Sequence, residues 1–150
     1  MSATSAPLFE HSAWIEARAD ALPSSGDRHA DVMAVVREAT PDEQLALIRA
    51  HPELAGKAAI DRTLTEASQA EQASAGLDRL TPQEFERFHV LNAAYRERFD
   101  FPFIICVRLT DKAGILAAME RRLGNDRAEE VATAIDQIGA IVRLRLEHAA

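Results

Sequence analysis

The chain has 150 residues, of which 47% are hydrophobic and 27% charged, with a formal net charge of −7. That length closes a core without staples and reads as one domain of a soluble globular protein. The acidic balance argues against a broad surface for nucleic acid or anionic membrane, though not against a local anion pocket. The lone cysteine, Cys106, excludes an internal disulfide framework and a cysteine-rich zinc site.

The N-terminal "MSATSAPLFEHSAW" has no basic start followed by an apolar run, so no signal peptide is expected. No apolar run reaches membrane-spanning length, and "RLRLEHAA" carries no targeting tripeptide. A cytoplasmic protein is the default expectation.

In chain order, the signals are helical. A first helix is expected from Glu10 to Leu22, closed by Pro23 and the polar turn "PSSGD". Asp27 can cap a second helix through Glu38, with Val32, Val35 and Val36 on its apolar side. "TPDE" (Thr40 to Glu43) and "TPQE" (Thr81 to Glu84) are capping boxes, with Thr at N-cap, Pro at N1 and Glu at N3. The first opens a helix running to His51. The second opens one to about Phe99, with Phe85, Phe88, Leu91, Tyr95 and Phe99 at helical spacing. Between them a helix is expected from Thr65 to Ala75, ending near Gly76. "TDKAGILAAMERRLG" reads as a helix stopped at Gly124, and the last helix starts near Asp126. Its apolar side carries Val131, Ile135, Ile138, Val142 and Leu146. Helical signals therefore dominate the chain, without repeats or a dividing linker.

One stretch departs from this. "FDFPFIICVR" is β-like in composition but interrupted by Pro102, and no second strand is evident. Phe101 to Val107 is then either paired with another chain or a buried extended connection near 101–107. Its peptide groups need partners, for which side chains and water are the plain candidates and a polar ligand the functional one.

Few side chains suggest chemistry on their own. His51 ends a helix and is locked by Pro52, which biases it away from the α region. That accounts for the stop but not for the choice of histidine. His89 falls within a helix and reads as a surface or packing residue, and no metal-ligand spacing links the histidines. Ser68, Glu71 and Gln72 share one helical face, which suits solvent unless Glu71 faces a cavity. Arg143 and Arg145 near the chain's end complement a helix dipole, a sufficient structural reason for both. Cys106 sits in an apolar run, so burial is expected over nucleophilic use. No nucleophile elbow, phosphate loop or dinucleotide fingerprint is present.

Taken together, "LFEHSAWI", "HPELAGKAA", "SQAEQASAGL", "LNAAYRERFDFPFIICVR" and the terminal "RLRL" occur in an order that resembles the OHCU decarboxylase family. These enzymes convert 2-oxo-4-hydroxy-4-carboxy-5-ureidoimidazoline (OHCU) to (S)-allantoin in urate degradation. The resemblance extends from about Leu8 to Leu146. Two departures are visible: Ala13 stands where the family commonly has Pro, and Ala140 where a basic residue is common.

The resemblance implies an all-α enzyme, a carboxy-lyase without metal or organic cofactor, acting as a homodimer on a small ureidoimidazoline. It implies that His51 is the catalytic histidine, with Glu71 and Arg145 (rather than Arg143) as its charged partners. Pro52 would lie at the substrate. The segment Ser68, Gln69, Ala70, Glu71 and Gln72 matches one binding stretch. Phe103, Ile104, Ile105, Cys106 and Val107 match another, in which backbone groups contact the ligand. The competing readings are a helical module that only binds a small ligand or partner helix, and a decarboxylase of a related ureide.

Overall fold

Capping chemistry sets most of the element boundaries. The computed structural model describes residues 8–9, 12–51, 53–54 and 66–149, with backbone alone for 66–68 and 148–149. Among them are seven α-helices, one 3₁₀ turn and no strand. The fold is all-α, as expected.

The first helix, α1 (Ala13–Asp20), is shorter than the expected span. Ser12 takes the N-cap place without a side-chain cap bond. Past Asp20, the Ala21 and Leu22 N–H groups form turn bonds to Ala17 and Ala19, which carry the chain towards Pro23. Glu10 and His11 lie outside the described residues. Helix α2 (Arg28–Glu38) starts where Asp27 predicts, its carboxylate accepting the Ala30 N–H at 3.2 Å. Val32, Val35 and Val36 are buried, as their spacing requires.

Both capping boxes close in both directions. At the head of α3 (Pro41–Ala50), the Glu43 N–H donates to Thr40 Oγ1 at 3.1 Å and the Thr40 N–H to Glu43 Oε1 at 3.0 Å. Thr81 and Glu84 repeat this at 3.1 and 2.9 Å. Between the two lies α4 (Glu66–Ser74); the expected start at Thr65 falls outside the described residues. Gly76, at φ +81°, turns the chain after it, with the Leu77 N–H bonded back to the Gln72 carbonyl.

Helix α5 (Pro82–Phe99) buries Phe88, Leu91, Tyr95 and Phe99, but Phe85 is exposed. Its helical phase puts it at the edge of the buried arc on the first turn, where it stacks on His89. His89 is itself exposed, in line with a surface role. Helix α6 (Lys112–Arg122) is capped by Asp111 and stops just short of Gly124. The last helix, α7 (Arg127–Ala149), opens on a reciprocal pair of bonds between Asp126 and Glu129. Fully buried Ile15, Val36, Ile48, Phe88, Ile115 and Ile138 bring α1, α2, α3, α5, α6 and α7 to one core.

Between α5 and α6 the chain runs extended and buried, with no partner strand among the described residues. Of the two readings of the strand-like stretch, the buried connection is the one observed. It begins at Asp100, whose left-handed φ of 63° turns the chain out of α5. Arg49 of α3 fixes that turn through the Asp100 carbonyl at 3.1 Å and carboxylate at 2.5 Å.

Side chains answer the peptide groups that a sheet would otherwise pair. Arg122 donates to the Ile104 carbonyl at 2.7 Å, and Gln137 Oε1 accepts the Cys106 N–H at 2.8 Å. The Arg122 guanidinium lies over the Phe103 ring at 4.2 Å and donates to the buried Glu130 at 2.8 Å. Tyr95 donates to the same carboxylate oxygen at 2.5 Å, and Asn125 to the other at 2.8 Å. Burial pushes the Tyr95 phenol well above its usual value, and its bond to Glu130 pushes the same way. The connection from Phe101 to Val107 is thus a fixed wall, clamped from α6 and α7.

Candidate functional site

The wall faces a cleft with about 500 Å³ of open space, its mouth included. Its other sides come from the end of α3, from α4 and from the last turns of α7. His51, Glu71, Gln72, Phe103, Ile104, Ile105, Cys106, Val107 and Arg145 all line it, gathered from four separate parts of the chain.

His51 is the C-cap of α3, with φ −74° and ψ 140°. Leaving the α region there gives its N–H to Ile48 in place of Leu47, so the Leu47 carbonyl loses its helical donor. The imidazole supplies one: Nδ1 lies 3.1 Å from that oxygen. A carbonyl can only accept, so Nδ1 carries a proton, which leaves Nε2 as the nitrogen that can take one up or give one away. The chain just beyond is tied to α5, where Asn92 donates to the Leu54 carbonyl at 2.8 Å and Arg96 pairs with Glu53 at 3.0 Å. Pro52 itself lies outside the described residues.

Glu71 and Arg145 meet across the cleft as a two-pronged pair. Arg145 Nε and Nη2 each lie 2.8 Å from a carboxylate oxygen of Glu71. The side chains are only 12% and 9% exposed, so solvent screens them little and the planar geometry counts. Arg145 Nη1 also donates to the Leu8 carbonyl at 2.9 Å, tying the N-terminal stretch to α7. Glu71 therefore faces an interior partner rather than bulk water. Arg143 turns the other way, its Nη2 lying 3.2 Å from His29 Nδ1 on an exposed face.

Gln72 is buried beside Glu71, whereas Gln69 and Ala70 are exposed and do not line the cleft. The side chain of Ser68 lies outside the described residues. Cys106 is buried, as its apolar neighbours suggested. Desolvation pushes its thiol above the usual value, opposed in part by the Arg108 peptide N–H. That environment disfavours a thiolate nucleophile.

Leu54, Arg108, Ile141 and Leu144 also line the cleft, and sequence reasoning passed over them. Ile141, Leu144 and Arg145 stand at i, i+3 and i+4, so once Arg145 is placed, helical spacing brings in the other two. Arg108 closes the stretch "FDFPFIICVR", and Leu54 lies within "HPEL". Among the described residues, no cluster of three or more His, Cys, Asp or Glu could hold a metal ion, and no helix is long and apolar enough to cross a membrane.

Similarity to known proteins runs over nearly the whole chain. The family model described as OHCU decarboxylase matches residues 1–147. The chain is 41% identical over 143 residues to the 2-oxo-4-hydroxy-4-carboxy-5-ureidoimidazoline decarboxylase of Haloferax volcanii, covering 93% of this chain and 82% of that protein. It is 40% identical over 142 residues to the uric acid degradation bifunctional protein PucL of Bacillus subtilis, covering 93% of this chain and 28% of the larger protein. Among solved structures, that of an (S)-allantoin synthase superposes with a TM-score of 0.68 at 30% identity, over 95% of this chain and 46% of the other.

Proposed function

The chain belongs to the OHCU decarboxylase family, and we propose that it decarboxylates OHCU to (S)-allantoin, with the cleft bounded by His51, Glu71, Arg145 and the 103–107 wall as its active site. One observation carries the site assignment. The imidazole and the Glu71–Arg145 pair, remote in sequence, line one cleft against a wall whose backbone is already clamped.

The chemistry suits groups of this kind. In OHCU the carboxylate is bonded to a ring carbon that also carries a hydroxyl and adjoins a C=N bond. As the bond to CO2 breaks, its electron pair forms a C=C bond to the neighbouring ring carbon, and the imine nitrogen takes up a proton. The resulting enol then loses its hydroxyl proton to become a carbonyl, while the neighbouring carbon gains a proton on one face. One CO2 leaves and one proton is consumed.

His51 is the proton carrier in this scheme. Its Nε2 accepts the hydroxyl proton and delivers the one that sets the stereocentre. Glu71 accepts ring or ureido N–H groups through the remaining lone pairs of its carboxylate. Arg145 holds that carboxylate in plane and places positive charge beside the oxygen that becomes a carbonyl. Gln72 supplies an amide at the same edge. Pro52, Ser68, Gln69 and Ala70 belong to this proposal through the family pattern, and Phe103 to Val107 through the wall they form.

The wider reading is of one domain, acting in the cytoplasm as a homodimer and without a metal or organic cofactor. Its test is circular dichroism of urate broken down enzymatically to OHCU. Adding the protein should accelerate the appearance of the (S)-allantoin signal, and a rate equal to that of spontaneous decay would remove the reading.

A further inference from the structure

Glu71, Arg145, His51 and Arg108 are the charged or titratable residues lining the cleft, with Cys106 beside them. Glu71 and Arg145 are engaged with each other in their two-pronged pair, and the His51 ring is held through Nδ1 at the Leu47 carbonyl. Arg108 differs from both. It is exposed, it sits on the 3₁₀ turn Val107–Leu109 that follows the wall, and no carboxylate pairs with it among the described residues. It stands two residues beyond the buried Cys106, at the end of the wall.

The substrate class sets a matching requirement. OHCU enters as a carboxylate anion and leaves as neutral allantoin and CO2, whereas the chain as a whole carries a net charge of −7. An anion approaching an acidic protein needs a local positive potential. A cation buried against the carboxylate would stabilise it in the ground state and oppose its departure. A solvated cation at the mouth attracts the anion without that penalty.

We propose that Arg108 recruits the substrate by its carboxylate at the mouth of the cleft, an attraction that ends when CO2 departs. This rests on the OHCU reading of the cleft. It makes Arg108 a binding residue specific for the anionic substrate over the neutral product.

Steady-state kinetics on enzymatically generated OHCU, followed by the dichroism of allantoin, test this with Arg108→Gln and Arg108→Lys. Arg108→Gln should raise KM about two- to fivefold, the range of a solvated ion pair, with kcat within about 1.5-fold. It should also flatten the decline of kcat/KM with added salt. Arg108→Lys should keep most of the wild-type KM, and inhibition by neutral allantoin should be equal in all three proteins. Because the side chain is exposed, the melting temperature checks that the fold is unchanged. An active wild type whose KM and salt dependence survive Arg108→Gln overturns the inference alone. Equal weakening of allantoin inhibition also overturns it, since charge would then not be what is read. A wild type without activity removes the OHCU reading and this inference with it.

Discussion

At the scale of single residues, the cleft separates two jobs that one histidine could be asked to do. His51 ends α3 structurally, through its extended backbone, and its ring returns a hydrogen bond to the Leu47 carbonyl. The helix stop is a backbone matter and survives truncation of the side chain, because Pro52 still follows. The ring's bond to Leu47 is worth only about 0.5–1.5 kcal/mol net. His51→Ala is therefore expected to keep its helical dichroism, lose at most a few degrees of melting temperature, and lower kcat by about 10²–10⁴. Collapse of the fold on this substitution would assign the histidine to structure. Cys106→Ala is the companion measurement: a buried thiol pushed up by desolvation should be dispensable, and most activity should remain. What the sequence could not say of His51 was which nitrogen faces the cleft, because that depends on a carbonyl orphaned by the helix end.

At the scale of elements, legibility followed how local the cause is. Asp27, the two Thr-Pro-x-Glu boxes and Gly76 act within four residues of themselves, and the helices they delimit stand at or within a residue of where the sequence puts them. The extended wall is the opposite case. Its β-like composition reports burial on all sides, but its partners Arg122 and Gln137 lie 18 and 31 residues away from the peptide groups they hold. No local pattern reveals them. Gln137 gives the cleaner test of this clamp, because it is only partly buried and carries no charge. Gln137→Leu leaves the Cys106 N–H without its acceptor, a loss of about 1–3 kcal/mol, whereas Gln137→Glu keeps an oxygen there. The leucine variant should melt lower and show weakened turnover, and the glutamate variant should recover much of both. Equal loss in the two would mean that packing, not the hydrogen bond, holds the wall. Ile105→Pro, which removes a peptide donor and restricts Ile104 as well, should damage turnover far more than Cys106→Ala.

At the scale of the whole molecule, most carboxylates lie on the outside, and three of them are held below their usual values by the caps and loops that start helices. Glu43 is lowered to about 2, first by the hydrogen bond from Arg18 of α1 and then by the Thr40 N–H of its own capping box. Asp31 is lowered chiefly by the Ser25 hydroxyl ahead of α2, and Glu84 chiefly by the Thr81 N–H at the head of α5. A carboxyl lowered in the folded state binds fewer protons there than in the unfolded chain. Its stabilisation is complete above the unfolded value and is lost as pH falls through the folded one. For Glu43 that window runs from the ordinary 4.5 down to about 2. The melting temperature should therefore fall progressively as pH is lowered below about 5, while remaining flat with respect to these groups at neutral pH. Glu43→Gln discriminates this from general charge repulsion among the 17 Lys and Arg residues at low pH. The amide cannot be protonated in this range, so the variant should start less stable at pH 7 and lose less on acidification. The two melting curves should converge near pH 2. Parallel curves, separated equally at pH 7 and pH 2, would show that the bonds from Arg18 and Thr40 contribute no linkage.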